Sequence, residues 1–379
     1  MKISILCSDL SGNSFGRAYL LASILKRRYE IEIVGFSLFR QGREIWGPCD
    51  TNEFDVKALR GSSGLGTYLS AIKNIEGRIT GDVLYAMKPR MSSFGIALLK
   101  KLSNNLPLVL DNDDWEVGFT LTNTKIKVQY LVNVWDINSF WYLKVMEKLI
   151  PFADQVTTSS TFLQRKFGGV IVPHGRDTSS FDPKRFDRFK IRYQWKIGDD
   201  EDVLMFLGSP VVYKGLEDLV NAVNILNRDN IRLFIVGMDF NYKYVKRLMK
   251  IAGSHVTFIG QQPFQEIPKF ISMADVIVIP QSNNPACRGQ MPAKLYDAMA
   301  MAKPIIASKI SDIPNVLKGC GYLFEPGDVK GLVEKINYVL DNKEEAIEKG
   351  KLAREKCIKN YSWDAIEKVL IKVFARYEN

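Results

Sequence analysis

The chain has 379 residues, 46% of them hydrophobic and 25% charged, and carries a formal net charge of +10 at pH 7. That length exceeds one ordinary core and predicts two domains, and the near-average composition excludes a disordered or fibrous protein. The positive balance suits nucleic acid, an anionic membrane surface or a phosphorylated substrate, but the basic residues lie in short clusters such as Lys26-Arg27-Arg28, which a solvated face mostly explains.

The chain starts with Met1-Lys2-Ile3-Ser4-Ile5-Leu6 and runs straight into Ser8-Asp9-Leu10-Ser11-Gly12, without the apolar core of a secretory signal. Its longest apolar runs, such as Val276-Ile277-Val278-Ile279, are strand-sized, well short of the roughly 18–20 residues that span a bilayer. A cytoplasmic protein without a membrane anchor is expected. The five cysteines (Cys7, Cys49, Cys287, Cys320, Cys357) are scattered, and His174 and His255 are the only histidines. Neither a zinc site nor a disulfide framework fits that spacing, so reduced, buried thiols are expected and no metal.

Strands are predicted at Ile3 to Cys7, Ile31 to Gly35, Asp82 to Met87 and Leu108 to Leu110, with a helix over Gly16 to Tyr29. A long helical region rich in Trp and Tyr is predicted from about Ile126 to Leu149, its aromatic side chains mostly packing into the domain, with some of this surface available to meet lipid or an acceptor. Then come a strand at Gln155 to Thr158, a short helix at Thr161 to Phe167 and a strand at Val170 to Val172. Pro173-His174-Gly175-Arg176-Asp177 and Asp182-Pro183 interrupt the rhythm and mark a domain boundary. Beyond it the alternation restarts, with strands predicted at Val203 to Leu207, Ile231 to Val236, Val256 to Ile259, Val276 to Ile279 and Pro304 to Ala307. Helices are predicted between them, including Gly215 to Leu226 and Pro292 to Met301, and nearly everything from Leu332 to Tyr377 is helical. Strands alternating with helices pair in parallel through right-handed crossovers. Two such open sheets make two Rossmann-like lobes, whose ligands bind beyond the carboxyl ends of the strands.

Three segments carry candidate chemistry. Val203 to Pro210 followed by Tyr213-Lys214-Gly215 is a strand, a glycine turn and a lysine before a helix, an arrangement that suits phosphate; a solvent-facing lysine would look the same. Arg288-Gly289-Gln290-Met291-Pro292 leads into a helix containing Asp297, so a phosphate at its N-terminus would meet free N–H groups and the helix dipole. Asp297 could accept from a ribose diol, or be a surface acid. Asp111-Asn112-Asp113-Asp114-Trp115-Glu116 is an acid cluster at a strand end that could bind a metal, act as a base or cap a helix.

In this order, these segments resemble family 4 (group 1) of the retaining GT-B glycosyltransferases. Phe206-Leu207-Gly208 through Lys214-Gly215-Leu216 looks like that family's strand–glycine–Lys-Gly segment, and Phe234 to Gly237 like its next core strand. Val256 to Gly260, Ile267 to Phe270 and Ala274 to Val276 resemble its nucleotide-facing segment. Asp297-Ala298-Met299-Ala300 with Lys303 to Ala307 is similar to its signature helix and strand, and Val172 to Asp177 to its linker. Tyr361 to Asp364 resembles the start of its last helix, which crosses back to the first lobe.

The resemblance implies an α/β chain of two Rossmann-like lobes facing a cleft: an acceptor-binding lobe over residues 1–175, a nucleotide-sugar-binding lobe over 176–360, and a returning C-terminal helix over 361–379. It implies transfer, with retention, from a UDP- or GDP-sugar to a glycan or lipid-linked acceptor, as in cell-surface polysaccharide or glycolipid synthesis. Peripheral contact with an anionic membrane is compatible with this; no cofactor or metal and no nucleic-acid partner is implied. Lys214 would neutralise the diphosphate, Asp297 would hold the ribose, and the amides near Gln290 and Met291 would meet the distal phosphate. Ser209, Gly260 and Gly289 would line the donor, and the loop at Gly12 would approach it from the other lobe. Three positions depart from the family. Gly289 stands where the first acid of the Glu-x7-Glu motif belongs, Ser209 replaces an Arg, and Asp111 to Asp114 occupy the place of a His. Arg288 is expected to replace the missing cation, and Asp113 or Asp114 to contact the sugar or acceptor. Lys214, Arg288 and Asp113 are the catalytic candidates. The alternatives are a sugar-nucleotide 2-epimerase and a non-catalytic nucleotide-sugar-binding protein, the latter favoured by the missing Glu.

Overall fold

The computed structural model describes all residues except 40, 41, 43, 50, 123–132, 227 and 379. It divides into two compact units, Met1–His174 with Ile366–Asn379, and Gly175–Ala365.

In the first unit seven strands form one parallel sheet: β1 (Lys2–Cys7), β2 (Glu30–Ser37), β3 (Asp55–Arg60), β4 (Val83–Met87), β5 (Leu108–Asn112), β6 (Gln155–Thr158) and β7 (Val170–Ile171). Their spatial order is β3-β2-β1-β4-β5-β6-β7. Ile5 of β1 sits between Ile33 of β2 and Tyr85 of β4. Helices cover both faces of such a sheet, so its inner strands are buried on both sides and read as continuous apolar runs. The C-terminal residues belong to this unit as well: the ring of Phe374 meets Tyr85 edge-on at 5.1 Å, and Arg28 pairs with Glu378 at 2.9 Å.

The second unit holds six parallel strands: β8 (Asp202–Leu207), β9 (Ile231–Met238), β10 (Val256–Gly260), β11 (Val276–Ile279), β12 (Ile305–Ser308) and β13 (Tyr322–Phe324), in the order β10-β9-β8-β11-β12-β13. Alternate residues of β8 feed two cores. Val203, Met205 and Leu207 pack on one side with Phe234 and Leu295; Leu204 and Phe206 pack on the other with Leu233 and Val220. That is the two-residue repeat of a strand buried on both faces. The strand order reverses between β8 and β11 here, and between β1 and β4 in the first sheet. At such reversals the loops at the carboxyl edge diverge and leave a crevice.

One element differs from expectation. Of the region predicted helical from Ile126 to Leu149, residues 126–132 lie outside the described residues, and the helix starts only at Phe140, ending at Leu149. Polar side chains form turns ahead of it: Asn133 accepts from the Trp135 amide at 3.2 Å and Asp136 from the Asn138 amide at 2.8 Å. Short polar side chains compete in this way with helical hydrogen bonding. Trp135 and Trp141 are exposed rather than packed into the domain. Residues 36–81, which contain β3 and the helix Leu65–Gly77, and the residues of β13 carry no predicted element.

Candidate functional site

The second unit's candidate site is built on the carboxyl end of β8. Gly208 follows this strand with φ +128°, a backbone that side chains rarely adopt. The next turn, Val212–Lys214, ends on Gly215, whose φ of +68° and packing against the Pro280 carbonyl leave no room for a Cβ. This turn is stitched to the end of β11: the Tyr213 carbonyl accepts from the Ser282 amide at 3.0 Å and the Cys287 thiol at 3.2 Å. Loops from both sides of the strand-order reversal are thereby joined.

Lys214 lies in this loop, its Nζ donating to the Ser209 carbonyl at 3.1 Å. Arg288 ends the short helix Pro285–Arg288, exposed, with Nε donating to Asn283 Oδ1 at 2.9 Å. Gly289 and Gln290 follow, and the Gln290 side chain accepts from Gln281 at 3.5 Å. Met291 is buried in the core. The helix Ala293–Ala300 then begins after Pro292, with no side chain capping it and no acid in its first turn; an uncapped N-terminus of this kind favours an anion. Gly260 ends β10 on the same carboxyl edge, two strands from β8, with its carbonyl accepting from Gln262 at 3.2 Å.

Two residues that the sequence reading gave no role belong to this region. Lys294, in the first turn of that helix, lies with Nζ 4.6 Å from the centre of the Phe206 ring. A Cβ on Gly208 would lie 2.6 Å from the Lys294 Nζ and 3.7 Å from the Lys214 Nζ, so both lysines converge on the glycine. Burial, with Lys214 alongside, drives the Lys294 ammonium well below the usual lysine range, against the pull of Asp297 and Cys287. The other residue is Arg176. Its Nε donates to Asp297 Oδ1 in a buried ion pair, its Nη1 donates to the Gly175 carbonyl at 2.7 Å, and its guanidinium lies 5.5 Å from the Phe264 ring centre. Asp297 is only 6% exposed. Nothing local signals either contact, since Arg176 lies 121 residues from Asp297 in sequence.

In the first unit, Gly12 lies in the loop after β1, where Asp9 Oδ1 accepts from the amide and hydroxyl of Ser11 at 3.0 and 2.7 Å. Asp113 follows β5 in a buried ionic cluster. Lys88, at φ +69° after β4, places its Nζ 3.4 Å from Asp113 and 3.1 Å from Glu116, and also pairs with Asp114. Arg90 donates to Glu116 at 2.8 Å. Although burial pushes Glu116 upward, Arg90 and Lys88 hold it down to about 2. Asp113 is pushed up to about 7 by burial, with Asp114 and Asp111 reinforcing the shift and Lys88 opposing it. Asp111 instead takes a forked pair of bonds from Arg17, at 3.0 and 2.9 Å. The cluster Asp111 to Glu116 is therefore matched to cations. Among the described residues no group of three His, Cys, Asp or Glu could hold a metal ion, and no helix is long and apolar enough to cross a membrane.

The two Rossmann-like units, with parallel sheets of seven and six strands, have the fold found in GT-B glycosyltransferases. Residues 187–374, just under half of the chain, match the family model "Glycosyl transferases group 1". It is similar to the sulfoquinovosyl transferase SQD2 of Arabidopsis thaliana, 27% identical over 76% of this chain and 55% of the relative. It is likewise similar to the GDP-mannose-dependent alpha-(1-6)-phosphatidylinositol monomannoside mannosyltransferase of Mycobacterium tuberculosis, 25% identical over 59% and 62% of the two chains. The chain thus spans little more than half the length of these curated relatives. Among solved structures, Anabaena Alr3699/HepE in complex with UDP-glucose superposes with a TM-score of 0.76 at 17% identity, covering 99% of this chain and all of that one.

Proposed function

We propose that this glycosyltransferase moves a sugar, with retention, from a nucleotide-diphosphate sugar to a glycan or lipid-linked acceptor. The observation that carries the reading is Lys214, fixed at the carboxyl edge beside the uncapped helix Ala293–Ala300. A diphosphate there meets a cation and a helix dipole, the groups that stabilise a leaving phosphate. The amides near Gln290 and Met291 hold the distal phosphate, Gly260 and Ser209 line the nucleotide, and Arg288 swings in from solvent. Arg176 occupies Asp297 Oδ1, and the remaining carboxylate oxygen accepts from the ribose. The bond from the anomeric carbon to the diphosphate breaks, the acceptor hydroxyl attacks from the same face, and its proton passes to the departing phosphate oxygen. In the first unit the Asp113 carboxyl, pushed up to about 7, carries a proton below neutrality.

The bound UDP-glucose of HepE and the GDP-mannose of the mycobacterial relative make UDP- and GDP-hexoses the first donors to test. That relative's phosphatidylinositol monomannoside makes glycolipids the first acceptors. The group 1 match favours transfer over epimerisation. The test is incubation with these donors and with glycolipid or oligosaccharide acceptors, following nucleotide release and reading the new anomeric configuration by NMR. An inverted product would remove retention, and release of a free epimer would replace transfer.

A further inference from the structure

Where the family carries an arginine after β8, this chain has Ser209. The exposed Arg288 donates through Nε to Asn283 Oδ1. A different cation already occupies the backbone turn at Gly208. Lys294 reaches it from the first turn of the helix Ala293–Ala300, its Nζ 4.6 Å from the centre of the Phe206 ring and against Gly208. Glycine at 208 is what lets it in, because a Cβ would lie 2.6 Å from the Nζ. The charged groups facing it are Lys214, which repels its positive form, and Asp297 and Cys287, which favour that form. Asp297 is itself committed to Arg176, and burial holds the Cys287 thiol up at about 12, as the uncharged form. No carboxylate is ion-paired with Lys294 among the described residues. Two lysines thus converge on one backbone turn beside an uncapped helix end, where an anion lying between them would be attracted by both.

We propose that Lys294 is the second cation of the donor diphosphate site, and that it takes up one proton from solvent as the diphosphate binds between it and Lys214. This rests on the reading above that a nucleotide-diphosphate sugar occupies this edge. In the empty site, burial and Lys214 favour the neutral amine. The entering diphosphate reverses that balance, because an opposite charge within a few ångströms favours the ammonium. The balance is simple: amine plus a solvent proton gives ammonium, and no bond in the donor changes. Between the empty-site and bound-state pKa values of Lys294, donor affinity falls as pH rises, because the bound state holds the extra proton.

The test is calorimetry on the full chain with UDP-glucose and with GDP-mannose, whose diphosphate diesters have no group titrating near neutrality. Each is titrated in HEPES and in Tris, buffers of different ionisation enthalpy, at several pH values between about 7 and 8. The expected result is net proton uptake with the wild-type chain and none with Lys294→Met or Lys294→Arg. Lys294→Met should bind the donor at least about tenfold more weakly, as for a lost charge-assisted hydrogen bond, and Lys294→Arg should retain most of the affinity. A lysine that merely packs on Phe206 would give unchanged affinity in Lys294→Met and no buffer dependence in the wild type. That outcome overturns the role of Lys294 and leaves donor binding intact. If neither nucleotide sugar binds the wild-type chain, the donor reading falls and the proposal with it.

Discussion

Replacing Asp297 with alanine would strand the Arg176 guanidinium inside the second unit. Both side chains are almost fully buried, and Arg176 is also tied to the Gly175 carbonyl and lies near the Phe264 ring, so it cannot turn out to solvent without breaking those contacts. Removing one partner of a buried pair typically costs about 3–5 kcal/mol, because the remaining charge keeps its desolvation penalty. Removing both charges with apolar residues of similar volume is close to neutral. Arg176→Met combined with Asp297→Leu should therefore recover most of what Asp297→Ala loses. Equilibrium urea unfolding of the full chain, followed by a probe in the second unit, reads the effect. With an m-value of about 2 kcal/mol per molar, Asp297→Ala should lower the midpoint by about 1.5–2.5 M. A loss below about 1 kcal/mol, or a double variant as unstable as the single one, would refute the account of this pair as a buried electrostatic clamp.

Lys214→Ala should weaken nucleotide-sugar binding by about 1–3 kcal/mol, and Arg288→Ala by less, since its guanidinium is exposed and donates to Asn283; isothermal titration orders the two. Gly215→Ala combines a positive φ with overlap on the Pro280 carbonyl, so it should cost more than about 2 kcal/mol, read as a shifted urea midpoint. Asp113 gives a pH signature. Its carboxyl is raised to about 7 when folded, so between the unfolded value near 4 and 7 the folded chain holds more protons, and stability falls as pH rises through that window. Asp113→Asn should therefore stabilise the chain more at pH 8 than at pH 5 in parallel unfolding curves.

The sheets could be read from sequence where both faces are buried. Val276 to Ile279 and Val203 to Leu207 are unbroken apolar runs because helices cover each side of β11 and β8. Residues 36–81 gave no such signal. β3 is an edge strand bearing Asp55, Lys57 and Arg60, and the helix Leu65–Gly77 fully buries only Tyr68 and Ile75, so neither shows a strong period. The loop around Lys214 was recognisable from its glycines, each required by a local backbone conformation. Lys294 and Arg176 were not. Their partners are Gly208, Phe206 and Asp297, far away in the chain and adjacent only once the sheet has formed. Such pairings are decided by topology, which single-sequence patterns do not encode.

On the function proposed above, the carboxyl edge of the second sheet holds a nucleotide sugar for transfer. The most direct measurement is nucleotide release from UDP- and GDP-hexoses in the presence of glycolipid and oligosaccharide acceptors, comparing the wild-type chain with Lys214→Ala. Acceptor-dependent release is expected with at least one donor, reduced tenfold or more in the variant, in keeping with a lost charge-assisted contact. Tight donor binding with no release in any acceptor mixture, or release that Lys214→Ala leaves unchanged, would contradict it.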